Sequence, residues 1–162
     1  MASFRSEPRP GSHCQATTCA VYEGLLYVGG SFRAPTDTSA AVLIRWTGAA
    51  WESLAIGRNR SEVYALATYD EKLYIGGEFA TLVIPSPALP PSPLLTWDGT
   101  NLVPVAPYTT EGVVRSLVAT PSGLLIGGRS GSYEDALGRV ALMTPSSTLD
   151  FPGLSGTCSP SA

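Results

Sequence analysis

Three times the chain runs an apolar strand into a pair of glycines. The copies are Leu26-Tyr27-Val28-Gly29-Gly30-Ser31-Phe32, Leu73-Tyr74-Ile75-Gly76-Gly77-Glu78-Phe79 and Leu124-Leu125-Ile126-Gly127-Gly128-Arg129. Gly30 and Gly77 are 47 residues apart, and Gly77 and Gly128 are 51 apart. A repeat of that length is one supersecondary unit, which buries its apolar face only by stacking on neighbours. The spacing suits propeller blades, roughly 40–50 residues of four strands each.

The flanking residues supply the other strands of each unit. Before the glycine strand come Ala16–Tyr22, Val63–Tyr69 and Val114–Ala119, joined to it by short connections such as Asp70-Glu71, the mark of a tight hairpin. After it come Val42–Trp46, Leu94–Trp97 and Val140–Met143. Thr47-Gly48 and Asp98-Gly99 then turn the chain into Trp51–Leu54 and Leu102–Val105. Asp-Gly favours a turn in which both central residues take positive φ. Pro104 has no amide hydrogen for a ladder, so its strand is expected at a sheet edge. The predicted fold is therefore all-β, with three four-stranded propeller-type blades forming a partial β-propeller and little or no helix. The blades span about 14–56, 61–106 and 112–152. An N-terminal tail, 1–13, and a C-terminal tail, 155–162, flank a domain over 14–154.

Composition narrows the functions. The chain has 162 residues, of which 14% are charged, against about 25% in an average soluble domain. The 17 glycines and 14 prolines punctuate the chain, as many short strands require. Net charge is −3 and no basic patch stands out, which argues against a nucleic-acid partner. No stretch approaches the roughly 18 apolar residues of a membrane span, and Met1–His13 lacks the apolar middle of a secretory signal.

The run Val-x-Ala-Leu, Leu-Tyr-Ile-Gly-Gly-Glu-Phe and Trp-Asp-Gly resembles the kelch-like blades of galactose-oxidase-type propellers. It is most similar to the fungal cortical polarity-marker repeats, and the similarity covers about residues 15–152. The resemblance implies a fold and, since members are commonly surface-exposed, an extracellular or cell-surface location, with an organelle lumen as the alternative. It carries little about function. The first unit has Trp-Thr-Gly for Trp-Asp-Gly; the third has no tryptophan and carries Arg129-Ser130 where the others reach Phe. Atypical terminal repeats serve as caps or interfaces.

Candidate chemistry is sparse. Cys19 aligns with Leu66 and Leu117 and is expected as a small buried residue. Cys14 and Cys158 flank the repeats, and a bridge between them would tie the two ends, contributing about 4–5 kcal/mol on the chain-entropy account. Free thiols or a bond to a partner chain are the alternatives. His13 is the single histidine, so His13-Cys14 falls short of a structural zinc set and rules out a copy of the galactose-oxidase copper centre. Glu134-Asp135 fits no calcium loop spacing. No catalytic triad can be assembled, and neither enzyme activity nor a cofactor is expected.

The loops after the glycine strands, Arg33–Ala40, Ala80–Ser92 and Arg129–Gly138, share one face with the connection bearing Arg58 and Arg60. The second is long and proline-rich, and is expected to expose Leu82, Val83, Ile84, Pro85, Leu89, Pro90 and Pro91 unless something covers them. Exposed apolar segments mark interaction sites, and stiff proline stretches bind at low entropic cost. Three blades are fewer than the 4–8 of closed propellers, and a lone arc leaves flat edges open. The sequence thus predicts a non-enzymatic structural and protein-interaction module, completed by self-association or by a larger subunit, with a longer polypeptide of which this is one piece as the remaining source of blades. The alternative is a carbohydrate-binding propeller with Trp46 and Trp97 as stacking platforms, although Tyr22, Tyr27, Trp46, Tyr74 and Trp97 recur at equivalent positions, as core residues do.

Overall fold

The computed structural model describes residues 13–33, 40–58, 61–79, 81–83, 92–105, 112–130, 139–144 and 149–150, and every regular element among them is a strand. Three antiparallel sheets result. The first contains β1 (His13–Tyr22), β2 (Leu25–Arg33), β3 (Ala40–Trp46), β4 (Trp51–Arg58) and β7 (Thr81–Val83), in that order. The middle sheet is β5 (Glu62–Tyr69), β6 (Lys72–Glu78), β8 (Leu94–Trp97) and β9 (Leu102–Pro104). The third is β10 (Gly112–Thr120), β11 (Gly123–Ser130), β12 (Arg139–Met143) and β13 (Leu149–Asp150). Pro104 lies on β9, an outer strand, as expected of a residue that cannot donate to a ladder.

The first sheet departs from the expected four strands. β4 continues past Leu54 to Arg58, and this longer edge pairs with β7 through Ile56↔Val83, Gly57↔Leu82 and Arg58↔Thr81. An unpaired edge of eight residues is an open template for another strand. The start of the proline-rich loop fills it, so a segment following the middle sheet's glycine strand belongs to the first sheet.

Turn chemistry follows residue type. Glu23-Gly24 (φ 49° and 75°) and Asp70-Glu71 (φ 47° and 56°) form two-residue turns with both residues left-handed, the twist that matches paired strands. The third hairpin has Pro121-Ser122, and proline holds φ near about −65°; Gly123 carries the positive φ instead, at 151°. The Asp-Gly turn differs from its expected form. Trp97 pairs with Leu102, leaving four residues in the loop, and only Gly99 is left-handed, at φ 94°. The Asp98 carboxylate accepts the amide hydrogens of Thr100 (2.8 Å) and Asn101 (2.7 Å). This side-chain cap stabilises Asp98 in an ordinary conformation. In the first sheet the Thr47 hydroxyl accepts from Ala49 (3.5 Å) and Ala50 (3.1 Å), and Gly48 again has φ 94°. Thr47 therefore replaces aspartate without loss of the turn.

Every glycine pair faces a bulge. The register slips between Ala16 and Thr18, between Val63 and Ala65, and between Val114 and Ser116, opposite Gly29-Gly30, Gly76-Gly77 and Gly127-Gly128. The two glycines of a pair have different reasons. A Cβ on Gly30, Gly77 or Gly128 would strike the carbonyl oxygen of Gln15, Glu62 or Val113 across the bulge. A Cβ on Gly29 or Gly76 would strike Val63 or Val114 of the next sheet.

The middle sheet is packed on both faces. Leu66, Leu73, Ile75, Leu95 and Trp97 join Tyr22, Tyr27, Val42 and Leu43 of the first sheet in one core. Ala67, Tyr74 and Leu94 join Val114, Leu124, Ile126, Ala141 and Met143 in a second. Alternation along a strand explains the division, since Leu73 and Ile75 point one way and Tyr74 and Gly76 the other. Polar stitches reinforce the first joint: Tyr22 donates to the Glu71 carbonyl (3.1 Å), Thr68 to the Val21 carbonyl (2.9 Å), and the Leu66 amide to the Thr18 hydroxyl (3.3 Å).

Candidate functional site

Equivalent positions in the three sheets can be assigned from register, and their exposure differs in a consistent way. Leu43, Leu94 and Val140 each pair with the first glycine of their sheet. Leu43 is 1% exposed and Leu94 0%, because the next sheet covers them; Val140 is 38% exposed. Directly paired residues share a face, so Val140 lies with Ser116, Val118, Leu125, Gly127 and Leu142 on the back of the third sheet. Ser116, Val118 and Val140 are exposed, and the other three are half-buried.

The opposite end shows the complement. Leu26, Leu73 and Leu124 are equivalent, at 36%, 0% and 0% exposure. Leu26 shares the front of the first sheet with Ala16, Cys19, Val28 and Trp46. The equivalents of Ala16 are Val63 and Val114, which are buried over Gly29 and Gly76. The residues named on the two faces are uncharged, and register adds Arg129 and Asp150 to the back of the third sheet, through their pairing with Val113 and Leu142.

Cys19 is consequently not buried, as its alignment with Leu66 led us to expect; it is exposed. Leu66 is covered by the first sheet, whereas no described residue lies in front of Cys19. Cys14 is an exposed residue of β1, and Cys158 lies outside the described residues. Leu82, expected on an exposed loop, is buried at 4% in β7, because it closes the edge of the first sheet and joins its core. Val83 is the last residue of β7. Ile84, Pro85, Leu89, Pro90 and Pro91 lie outside the described residues, as do Arg60, Glu134 and Asp135. Arg58 ends β4 and is exposed.

The aromatic positions divide. Trp97 is buried, and its indole N–H donates to the Tyr27 hydroxyl at 3.3 Å. Tyr22, Tyr27 and Tyr74 are also buried; burial is the main cause that raises the pKa of the Tyr22 and Tyr74 phenols. Trp46 alone of this set is half-exposed, with its ring 5.2 Å from that of Trp51, beside the Arg45–Glu52 ion pair at 2.7 Å.

A further feature escaped the sequence. The bulged residues are Thr17, Tyr64 and Arg115. The Thr17 hydroxyl lies between the Gly29 carbonyl (3.1 Å) and the Val63 carbonyl, and the Arg115 guanidinium sits 4.8 Å from the centre of the Tyr64 ring. Burial raises the Tyr64 pKa, and the charges of Glu62 and Glu78 add to the rise. The bulge thus links each first strand to the next. Its sequence signal was the glycine pair, which marks the spot on the neighbouring strand.

Among the described residues no group of three or more His, Cys, Asp or Glu side chains is placed to hold a metal ion, and no helix is long and apolar enough to cross a membrane. In comparison with known proteins, no family model matches the chain and no curated protein matches it.

Proposed function

We propose that this chain is a non-enzymatic structural module: an arc of three kelch-like propeller blades that works in an assembly where neighbouring blades complete it. The observation that carries this reading is the contrast at equivalent positions. Leu43 and Leu94 are sealed under a following sheet while Val140 is open; Leu73 and Leu124 are sealed behind a preceding sheet while Leu26 is open. Apolar faces left open in this way mark interaction surfaces. The remaining proline-rich loop, Ile84, Pro85, Leu89, Pro90 and Pro91, is the further contact surface, and an extracellular, cell-surface or luminal assembly is the setting the resemblance favours. Binding of an environment-sensitive dye, together with native mass, tests the reading. The purified chain should either assemble or, as a monomer, bind the dye strongly. A monomer that binds no dye would show the arc to be complete by itself.

One observation favours carbohydrate binding as a second reading. Trp46 and Trp51 form a half-exposed aromatic pair, the kind of surface on which a sugar ring stacks. A glycan array gives hits that Trp51→Ala abolishes if this is right, and no hits if the pair only covers the sheet end. Trp97, buried against Tyr27, takes no part.

A further inference from the structure

We propose that the neighbour is a second copy of this chain, docked head to tail: the back of the third sheet in one copy covers the front of the first sheet in the other, and the same joint is made again on the opposite side. The proposal rests on reading the chain as an incomplete arc. What it adds is the identity of the occupant and the residues that meet.

The chain already contains this joint twice. At the first, Val63 fills the space over Gly29, and Leu66, Leu73 and Ile75 pack against the preceding sheet. At the second, Val114 fills the space over Gly76, and Leu124 and Ile126 pack in the same manner. The receiving elements left over are Gly127 and Val140, on the back of the third sheet. The inserting elements left over are Ala16, Cys19, Leu26 and Val28, on the front of the first. The receiving surface sits at one end and the inserting surface at the other, so a copy of the chain presents to each end the surface that end lacks. The residues named here on both faces are uncharged, so burying them carries no ion-desolvation cost. Used twice, the joint gathers six sheets from two chains, within the 4–8 blades that close, and a head-to-tail contact that closes gives a finite ring and no filament.

The inserting residue is Ala16 where the internal joints use valine. The space over Gly127 is therefore underfilled, which makes the joint weaker than its internal counterparts and open to improvement.

Sedimentation and native mass of the wild-type chain should show a dimer. Leu26→Asp and Val140→Asp each alter a residue that is exposed in the single chain but whose equivalents are sealed. Each variant should fold, by circular dichroism, and be monomeric. An equimolar mixture of the two should regain dimers, because one of its two joints is then free of aspartate. Ala16→Val should tighten the dimer about a hundredfold, roughly tenfold for the two buried methyl groups added at each of its two joints. A Val140→Asp chain that dimerises as well as wild type, or a mixture that stays monomeric, overturns head-to-tail docking. A wild-type monomer that binds dye strongly rejects the second copy while leaving the incomplete arc in place. A wild-type monomer that binds none rejects both.

Discussion

Leu94 and Val140 hold the same place in their sheets, each paired with the first glycine of its strand, yet one is sealed and the other open. Among the described residues the middle sheet has a neighbour on both faces, and the end sheets have one each. The comparison teaches that burial in this chain belongs to the joint between sheets more than to the residue type, since Ala67 is buried and its equivalent Val118 is exposed. The first way to break the comparison is truncation at both places. Leu94→Ala should cost about 2–5 kcal/mol, the usual range for a large-to-small change in a packed core. Val140→Ala should stay within about 0.5 kcal/mol in a monomeric sample. Urea unfolding reads both, and equal losses would show the third sheet to be covered on both sides within one chain.

A smaller effect sharpens the same contrast. Gly76→Ala places a methyl group against Val114 of the next sheet, and Gly127→Ala meets only the exposed Ser116 hydroxyl, which can rotate away. Gly76→Ala should cost about 1–3 kcal/mol, as overpacking does. In a monomeric sample Gly127→Ala should be neutral or slightly stabilising, since glycine within a strand is entropically costly. Thermal melts of the two variants suffice. If Gly127→Ala proved as damaging as Gly76→Ala in a monomeric sample, the explanation of the first glycine as the mark of a close approach between sheets would be lost.

Much of this organisation was legible in the sequence because it is local. The tight hairpin at Asp70-Glu71, the edge position of Pro104 and the strands around each glycine pair follow from turn chemistry and alternation. The sheet-end faces were not legible, and Cys19 shows why. Its alignment with Leu66 fixes its register on the strand but says nothing of whether another sheet stands in front of it. The fifth strand of the first sheet was missed for a related reason. Thr81-Leu82-Val83 reads as the start of a proline-rich loop, and its partner, the extension of β4 through Ile56 to Arg58, lies more than twenty residues earlier. The bulge residues Thr17, Tyr64 and Arg115 share no residue type, so only their position opposite the glycines relates them.

The least costly comparison lies between the two side-chain-capped turns. Asp98 and Thr47 cap the same four-residue loop, one with a carboxylate and the other with a hydroxyl. The amide hydrogen bonds from Asn101 and Thr100 hold the Asp98 carboxyl below its ordinary value. A group whose pKa is lowered on folding adds stability above its unfolded pKa, and that contribution fades as pH falls through the folded value. The Asp98 turn should therefore weaken only in acid, below the usual aspartate pKa of about 3.9, while the Thr47 turn does not titrate. In Asp98→Thr the acid dependence of stability should flatten by a small amount relative to wild type, with stability near neutrality little changed. Amide exchange at Asn101 offers a local readout: protection lost on acidification in wild type and retained in Asp98→Thr. Protection that persists unchanged in acid for the wild-type chain would mean that the glycine, and not the carboxylate, holds the turn.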